Sequence, residues 1–407
     1  MNKDFLLGLD PRLQGAMEEF ISLYNTDTMR WFAHLWDPVN GAFYYSNSGR
    51  DYEGFGPDLE STMQTLRVVA NRGMVDKLGG IAKAMPPEII DKIIAFADSL
   101  LAEDGYFYHP QWGRNIPLTR RGRDLNWGCS IYDMFGRKPP RSTAKDMLEH
   151  KNKHAQSLLP EHLLSKKAFY SYLDKLDIQK NSYAVGNNIN SQITQIKAAG
   201  LEKELCIWLD SKQNPQNGLW QDGINYDTIS GLMKLSAAYV FAHRKMNYMD
   251  KVTDSIFEAL TSKITPTQLV YIYNPISALS QAIGLLKNTG DTYEAARLKD
   301  RLMENAPAII ENTSEKVKLF RKPDGSFSYT HKYSAHRSQN MPVALFEECE
   351  GDVNATSIVA SGVFNGLFYN LDIPFKIFDE YDFKEFISIM KAQKPIVKKP
   401  CPEGRFV

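Results

Sequence analysis

Asn40-Gly41-Ala42-Phe43-Tyr44-Tyr45, Asp104-Gly105-Tyr106-Phe107-Tyr108, Asn217-Gly218-Leu219-Trp220 and Asp324-Gly325-Ser326-Phe327-Ser328-Tyr329 are four copies of one signal. Each couples a residue tolerant of a left-handed backbone to a glycine, then supplies an aromatic that can pin the turn against neighbouring segments. An aspartate follows each copy near the expected start of a helix: Asp58, Asp124, Asp227 and Asp352. A carboxylate there accepts free backbone N–H groups and suits the helix dipole. A signal repeated along a 407-residue chain predicts one architecture made of repeated units.

Between the turns the apolar period is helical. In the stretch 224–246, Ile229, Leu232, Met233, Leu235, Ser236 and Tyr239 recur at three- and four-residue steps, the mark of a helix with one face in a core. Similar stripes run through 13–35, 59–69, 89–101, 163–176, 189–209, 256–264, 276–286, 293–310, 358–371 and 383–390. They predict an all-α fold of about a dozen helices. Pro86-Pro87 and Pro139-Pro140 suit helix starts, where the missing N–H is not needed. The reading is a single domain over 1–393, followed by an extended C-terminal tail over 394–407, rich in proline and lysine.

Composition narrows the function classes. Lys and Arg total 48, as do Asp and Glu, so no field of one sign draws in nucleic acid or an anionic membrane. Cys129, Cys206, Cys349 and Cys401 lie far apart, which fits free thiols rather than a zinc ribbon or a disulfide scaffold. The first ten residues carry one lysine and an apolar stretch broken by Gly8, with no cleavage-site pattern, and no uncharged apolar run reaches the ~20 residues of a bilayer span. The expectation is a cytoplasmic protein with no membrane partner. Its oligomeric state is not legible.

The repeated turn-then-helix units resemble the α/α-toroid superfamily, which includes glycoside hydrolases, polysaccharide lyases and the terpenoid cyclase and prenyltransferase toroids. That resemblance implies a ring of about six helical hairpins around a central cavity, with a cleft shaped by turns at one end. The chain lacks the Asp-x-Asp-Asp and Asp-Asp-x-x-Asp strings of terpene cyclases and the Asp-x-Cys order of zinc prenyltransferases. It also lacks a phosphate loop, a Rossmann fingerprint and His-Glu-x-x-His, so neither cofactor nor metal is expected.

What remains is a set of polar and aromatic loops suited to sugars, whose apolar faces want aromatic walls and whose hydroxyls want a few fixed polar groups. Tyr45 and Asp58 belong to the first loop, and Arg123 to a basic run in the second that suits a carboxylate. Asn187 offers an amide at a polar helix start. Trp220, Tyr226 and Asp227 combine an indole, a phenol and a carboxylate in the third loop. His331, His336, Arg337, Gln339 and Asp352 crowd the long fourth segment.

The expected function is a glycoside hydrolase acting on an oligosaccharide, with uronate-containing ones among the candidate substrates. Asp227, Asp352 and Asp58 are the acid/base candidates and His336 a further catalytic one. Tyr45, Arg123, Asn187, Trp220, Tyr226, His331, Arg337 and Gln339 are the substrate-binding candidates. The alternatives are a lyase working through His, Tyr and Arg, a non-catalytic glycan- or protein-binding toroid, and an isoprenoid or metal-dependent enzyme.

Overall fold

The computed structural model describes residue 6 and residues 8–149, 158–373 and 377–405. The described chain is predominantly helical, and its named sheets are two two-stranded ribbons, Trp36–Asp37 with Ala42–Phe43 and Arg337–Ser338 with Met341–Pro342. Among the described residues no helix is long and apolar enough to cross a membrane. The four cysteines are unbridged.

All four repeated turns form as their sequence requires. Gly41, Gly105, Gly218 and Gly325 have φ between 71° and 84°, the left-handed region. The aromatic that follows each, Phe43, Phe107, Trp220 and Phe327, is at most 1% exposed. Each glycine abuts another helix. A Cβ on Gly41 would lie 2.5 Å from the Lys92 carbonyl, one on Gly218 would lie 2.7 Å from Val252 N, and Gly105 meets the backbone before the Ala144–Glu149 helix. Gly325 lies against the backbone of Asp27 and Thr28, so the last turn closes on the first part of the chain.

The helices that follow the turns pack side by side in chain order. Leu59–Asn71 contacts Leu118–Phe135, which contacts Ser182–Ser191, then Tyr226–Phe241, then Val270–Asn288. The Val270 helix meets a composite helix made of Val353–Ser357, a π-helical stretch Ile358–Val363 and Phe364–Asn370, which returns to the Leu59 helix. Small residues permit this close neighbouring. Gly122 faces the Ser191 carbonyl, Gly231 faces Ser182, and a Cβ on Gly186 would lie 2.6 Å from Lys234 Cβ. Further helices pack outside this circuit, among them Pro87–Leu100, Glu202–Lys212, Met249–Thr261 and Thr292–Lys318. The first described helix, Pro11–Ile21, packs on the last of these.

Two of the four aspartates act as helix caps, each accepting the backbone N–H three residues on. Asp58 accepts from Ser61 N at 2.9 Å, and Asp352 from Ala355 N at 2.8 Å. In both units a threonine hydroxyl, Thr62 or Thr356, accepts the N–H of the turn aromatic, Phe43 or Phe327, at 3.0 Å. The other two aspartates differ from expectation. Asn225, not Asp227, caps the Tyr226 helix through a capping box with Thr228, and Asp124 sits inside the Leu118 helix paired with Arg120. Asparagine serves as well as aspartate at that cap, and an arginine four residues earlier gives Asp124 a stronger partner than free N–H groups would.

The tail is extended but held down. Lys399 N donates to the Asp51 carbonyl at 2.8 Å, and the Lys398 ammonium donates to the carbonyls of Gly49, Tyr52 and Phe55 at 3.0, 3.1 and 2.8 Å. Lys398→Met is expected to lower stability by about 1–3 kcal/mol, since hydrogen bonds from a charged donor are the stronger kind. It should also expose residues 394–405 to protease before the rest of the chain is cut. Unchanged cleavage kinetics would show that the tail is held by other contacts.

Candidate functional site

A cavity of about 640 Å³ opens between the six successive helices, lined from every one of them and from the segment 329–339. Its wall follows helical spacing. Glu60, Gln64 and Arg67 line it from the first helix, Arg123, Asn126, Trp127 and Ser130 from the second, and Tyr183, Asn187 and Asn190 from the third. These steps of three, four and seven residues form a polar stripe opposite the apolar face that builds the core.

Glu60 organises the wall. Its carboxylate, 1% exposed, receives Arg120 Nη1 at 2.8 Å, Arg123 Nη1 at 2.7 Å and the Ser338 hydroxyl at 2.6 Å. Burial alone would raise its pKa, but Arg123 and Arg120 outweigh burial and hold it down to about 2. Arg120 itself is fully buried, bonds Asp124, lies 3.9 Å from Asp58 and stacks 4.6 Å over the Trp112 ring. A network of this kind is satisfied within the protein, so Glu60 is a fixed negative charge rather than a proton donor.

The hairpin Arg337–Pro342 overhangs one side. Gln339 and Asn340 both have positive φ, 47° and 67°, as a two-residue turn that matches strand twist demands. Ser338 ties it to Glu60, and the Pro342 carbonyl accepts from Gln111 Nε2 at 3.1 Å and Trp112 Nε1 at 3.3 Å. The second and fourth loops therefore meet over the cavity.

Charge is unevenly distributed. Among the described lining residues Arg67, Arg123, Lys145, Lys234 and Arg337 are cationic and Glu60 is the sole carboxylate. In a chain with equal numbers of each sign, that excess is a local feature. Lys234, on the Tyr226 helix, is the least ordinary member. Burial and the neighbouring Arg123 depress its pKa to about 7 against the opposing pull of Glu60.

Of the sequence candidates, Tyr45, Arg123, Asn187, Arg337 and Gln339 line the cavity. Asp58 and Asp352 lie behind the wall as buried caps. Burial raises each to about 6, against Arg120 and the backbone N–H of Ser61 for Asp58 and against the N–H groups of Ala355, Ala335 and Tyr329 for Asp352. Asp352 also touches the Tyr45 hydroxyl. Asp227 is exposed outside the cavity, accepting from Tyr271 Oη at 2.6 Å. Tyr226 stacks on Tyr271 with ring centroids 5.6 Å apart and bonds the Ile264 carbonyl. Trp220 is 1% exposed and donates to the Leu209 carbonyl, so it belongs to the core. His331 bonds the Pro266 carbonyl at 2.7 Å and His336 packs edge-on against Phe346, neither of them in the cavity wall.

The wall residues not selected from sequence are chiefly Glu60, Arg67, Asn126, Lys234, Asn274 and Tyr329. The usable signal was the inward polar stripe on successive helices.

No protein-family model matches the chain, and no curated protein or solved structure matches it either.

Proposed function

We propose that the circuit of helices is an α/α toroid and that its central cavity is the active site of a carbohydrate-active enzyme for a uronate-containing oligosaccharide. We further infer cleavage by elimination, the lyase reading, in preference to the two-carboxylate hydrolysis expected from the loops. One observation carries the preference. The only carboxylate in the described cavity wall is locked as an anion by two arginines, among five cationic side chains. Hydrolysis by paired carboxyls needs one of them protonated, whereas elimination needs the substrate carboxylate neutralised and a base beside it.

In this reading Arg123 and Arg337 hold the uronate carboxylate and take up the charge that develops when its α-proton leaves. Lys234, with a pKa of about 7, is the proton acceptor. Tyr45, whose pKa burial raises well above the usual phenol range, stays protonated and donates to the departing glycosidic oxygen. Asn126, Asn187 and Asn190 offer amides to the ring hydroxyls.

The test is a panel of acidic and neutral glycans read by the ultraviolet absorbance of the new conjugated double bond. Activity is expected on the uronate members. Arg337 is exposed and its Nη1 donates to the Asn340 carbonyl within its own hairpin, so Arg337→Ala should fold normally yet lose about a hundredfold in kcat/KM. Turnover of neutral glycans alone, with no double bond formed, would sink the eliminative reading.

A further inference from the structure

We propose that Lys234 is an imine-forming site, a cavity amine that condenses with a carbonyl compound bearing a carboxylate, such as a 2-oxo acid or an open-chain uronic acid. The inference uses the cavity of the preceding reading but does not depend on glycan cleavage.

Geometry supports it in three ways. Lys234 lines the cavity from the middle of the Tyr226 helix and is partly exposed to it. Its stem is braced against the Ser182 helix, where Gly186 faces Lys234 Cβ. Among the described residues its ammonium makes no hydrogen bond or ion pair, whereas Arg123 is committed to Glu60 and Arg67 lies 4.4 Å over the Trp127 ring. A lysine set beside another cation and away from bulk water is the usual arrangement for a nucleophilic amine.

Burial first, and then the charges around the cavity, set the proton affinity of the amine. Arg67 and Glu60 from the Leu59 helix, Arg123 from the Leu118 helix, Tyr183 from the Ser182 helix, Tyr273 from the Val270 helix and Arg337 from the hairpin share its wall. Burial lowers the pKa most, Arg123 adds to it, and Glu60 opposes both. At pH 7 such an amine is about half unprotonated, a fraction about a thousandfold larger than that of an ordinary surface lysine.

The step balances without any redox partner. The Nζ lone pair forms the C–N bond as the carbonyl π pair moves to oxygen and is protonated. The carbinolamine then loses that oxygen as water, carrying away both amine hydrogens, and leaves C=N. The carboxylate of the ligand pairs with the guanidinium groups of Arg123 and Arg337, which line the same wall.

The experiment is reductive trapping of the full-length protein with glyoxylate and cyanoborohydride at pH 7, followed by peptide mapping. One equivalent on Lys234, formed well before surface lysines react and lost below about pH 6, is the expected result. Lys234→Met should abolish that fast equivalent while keeping the wild-type circular dichroism, and acetaldehyde, which lacks a carboxylate, should label more slowly. Labelling spread evenly over surface lysines, or an unchanged fast equivalent in Lys234→Met, overturns the proposal. Trapping without glycan cleavage would leave the imine site standing and remove the lyase reading. Cleavage without trapping would do the reverse.

Discussion

Arg120→Met is expected to cost at least about 4 kcal/mol of stability, because removing one partner of a buried ion pair strands the charge left behind. Here three carboxylates depend on the one guanidinium: Glu60, Asp124 and Asp58, each at most 3% exposed at its side chain. Glu60 retains Arg123, but Asp124 and Asp58 retain no cation within 4 Å among the described residues. The methionine roughly fills the volume, so the loss is electrostatic rather than a cavity effect.

The pH dependence distinguishes this mechanism from simple mispacking. Burial raises Asp58 to about 6 and also raises Asp124, with Arg120 opposing in both cases. A carboxyl whose folded pKa lies above its unfolded value contributes stability below the unfolded pKa, and that contribution is lost as pH rises through the folded one. Without Arg120 both shifts grow. The stability gap between variant and wild type should therefore be wider at pH 8 than at pH 5. Glu60 acts in the opposite sense. Held down to about 2, it contributes stability above about pH 4.5 that is lost as pH falls towards 2. Urea denaturation at several pH values reads both effects, and a gap independent of pH would refute the electrostatic account.

Gly325→Ala is expected to cost about 2–5 kcal/mol, the second large effect. Its φ of +84° adds about 1–2 kcal/mol for any residue with a Cβ. That Cβ would lie 2.7 Å from Thr28 N and 2.8 Å from Asp27 C, backbone atoms that move only if the whole Thr26–His34 helix moves, which adds about 1–3 kcal/mol. Gly223→Ala is the matched control, with φ of +74° and nothing within 4 Å of the added carbon. It should show the backbone cost alone. Equal losses in the two variants would mean that contact between the two ends of the chain does not depend on close approach at Gly325.

Asp352 is as tightly held by backbone donors. One of its oxygens accepts Ala355 N and the other accepts Tyr329 N and Ala335 N, at 2.9 and 3.3 Å. An asparagine amide would turn N–H groups towards two backbone donors, so Asp352→Asn perturbs the fold before it reports on chemistry.

Much of the fold was legible because its causes are local. The Asn-Gly and Asp-Gly pairs of the four turns favour a left-handed backbone at the glycine, and three-and-four apolar spacing favours a helix, both through neighbours a few residues away. Asp58 and Asp352 as caps follow from the same local rules. The sites were only partly legible. Tyr45, Arg123, Asn187, Arg337 and Gln339 line the cavity, but Trp220, Asp227, His331 and His336 do not. A tryptophan after a turn is equally able to fill a core or a cleft, and which it does depends on residues far away in the chain.

By itself, then, the sequence determined the helices, the four turns and the absence of a dominant charge, all properties of neighbours within a few residues. Only the tertiary structure decided that Glu60, Arg123, Lys234 and Ser338 share one cavity wall while Asp58 and Asp352 stand behind it. Those groups come from segments as much as 278 residues apart, as in the Ser338 to Glu60 bond. Their pKa values depend on how deeply each is buried and on which cation lies opposite, and neither exists until the helices have packed around the cavity.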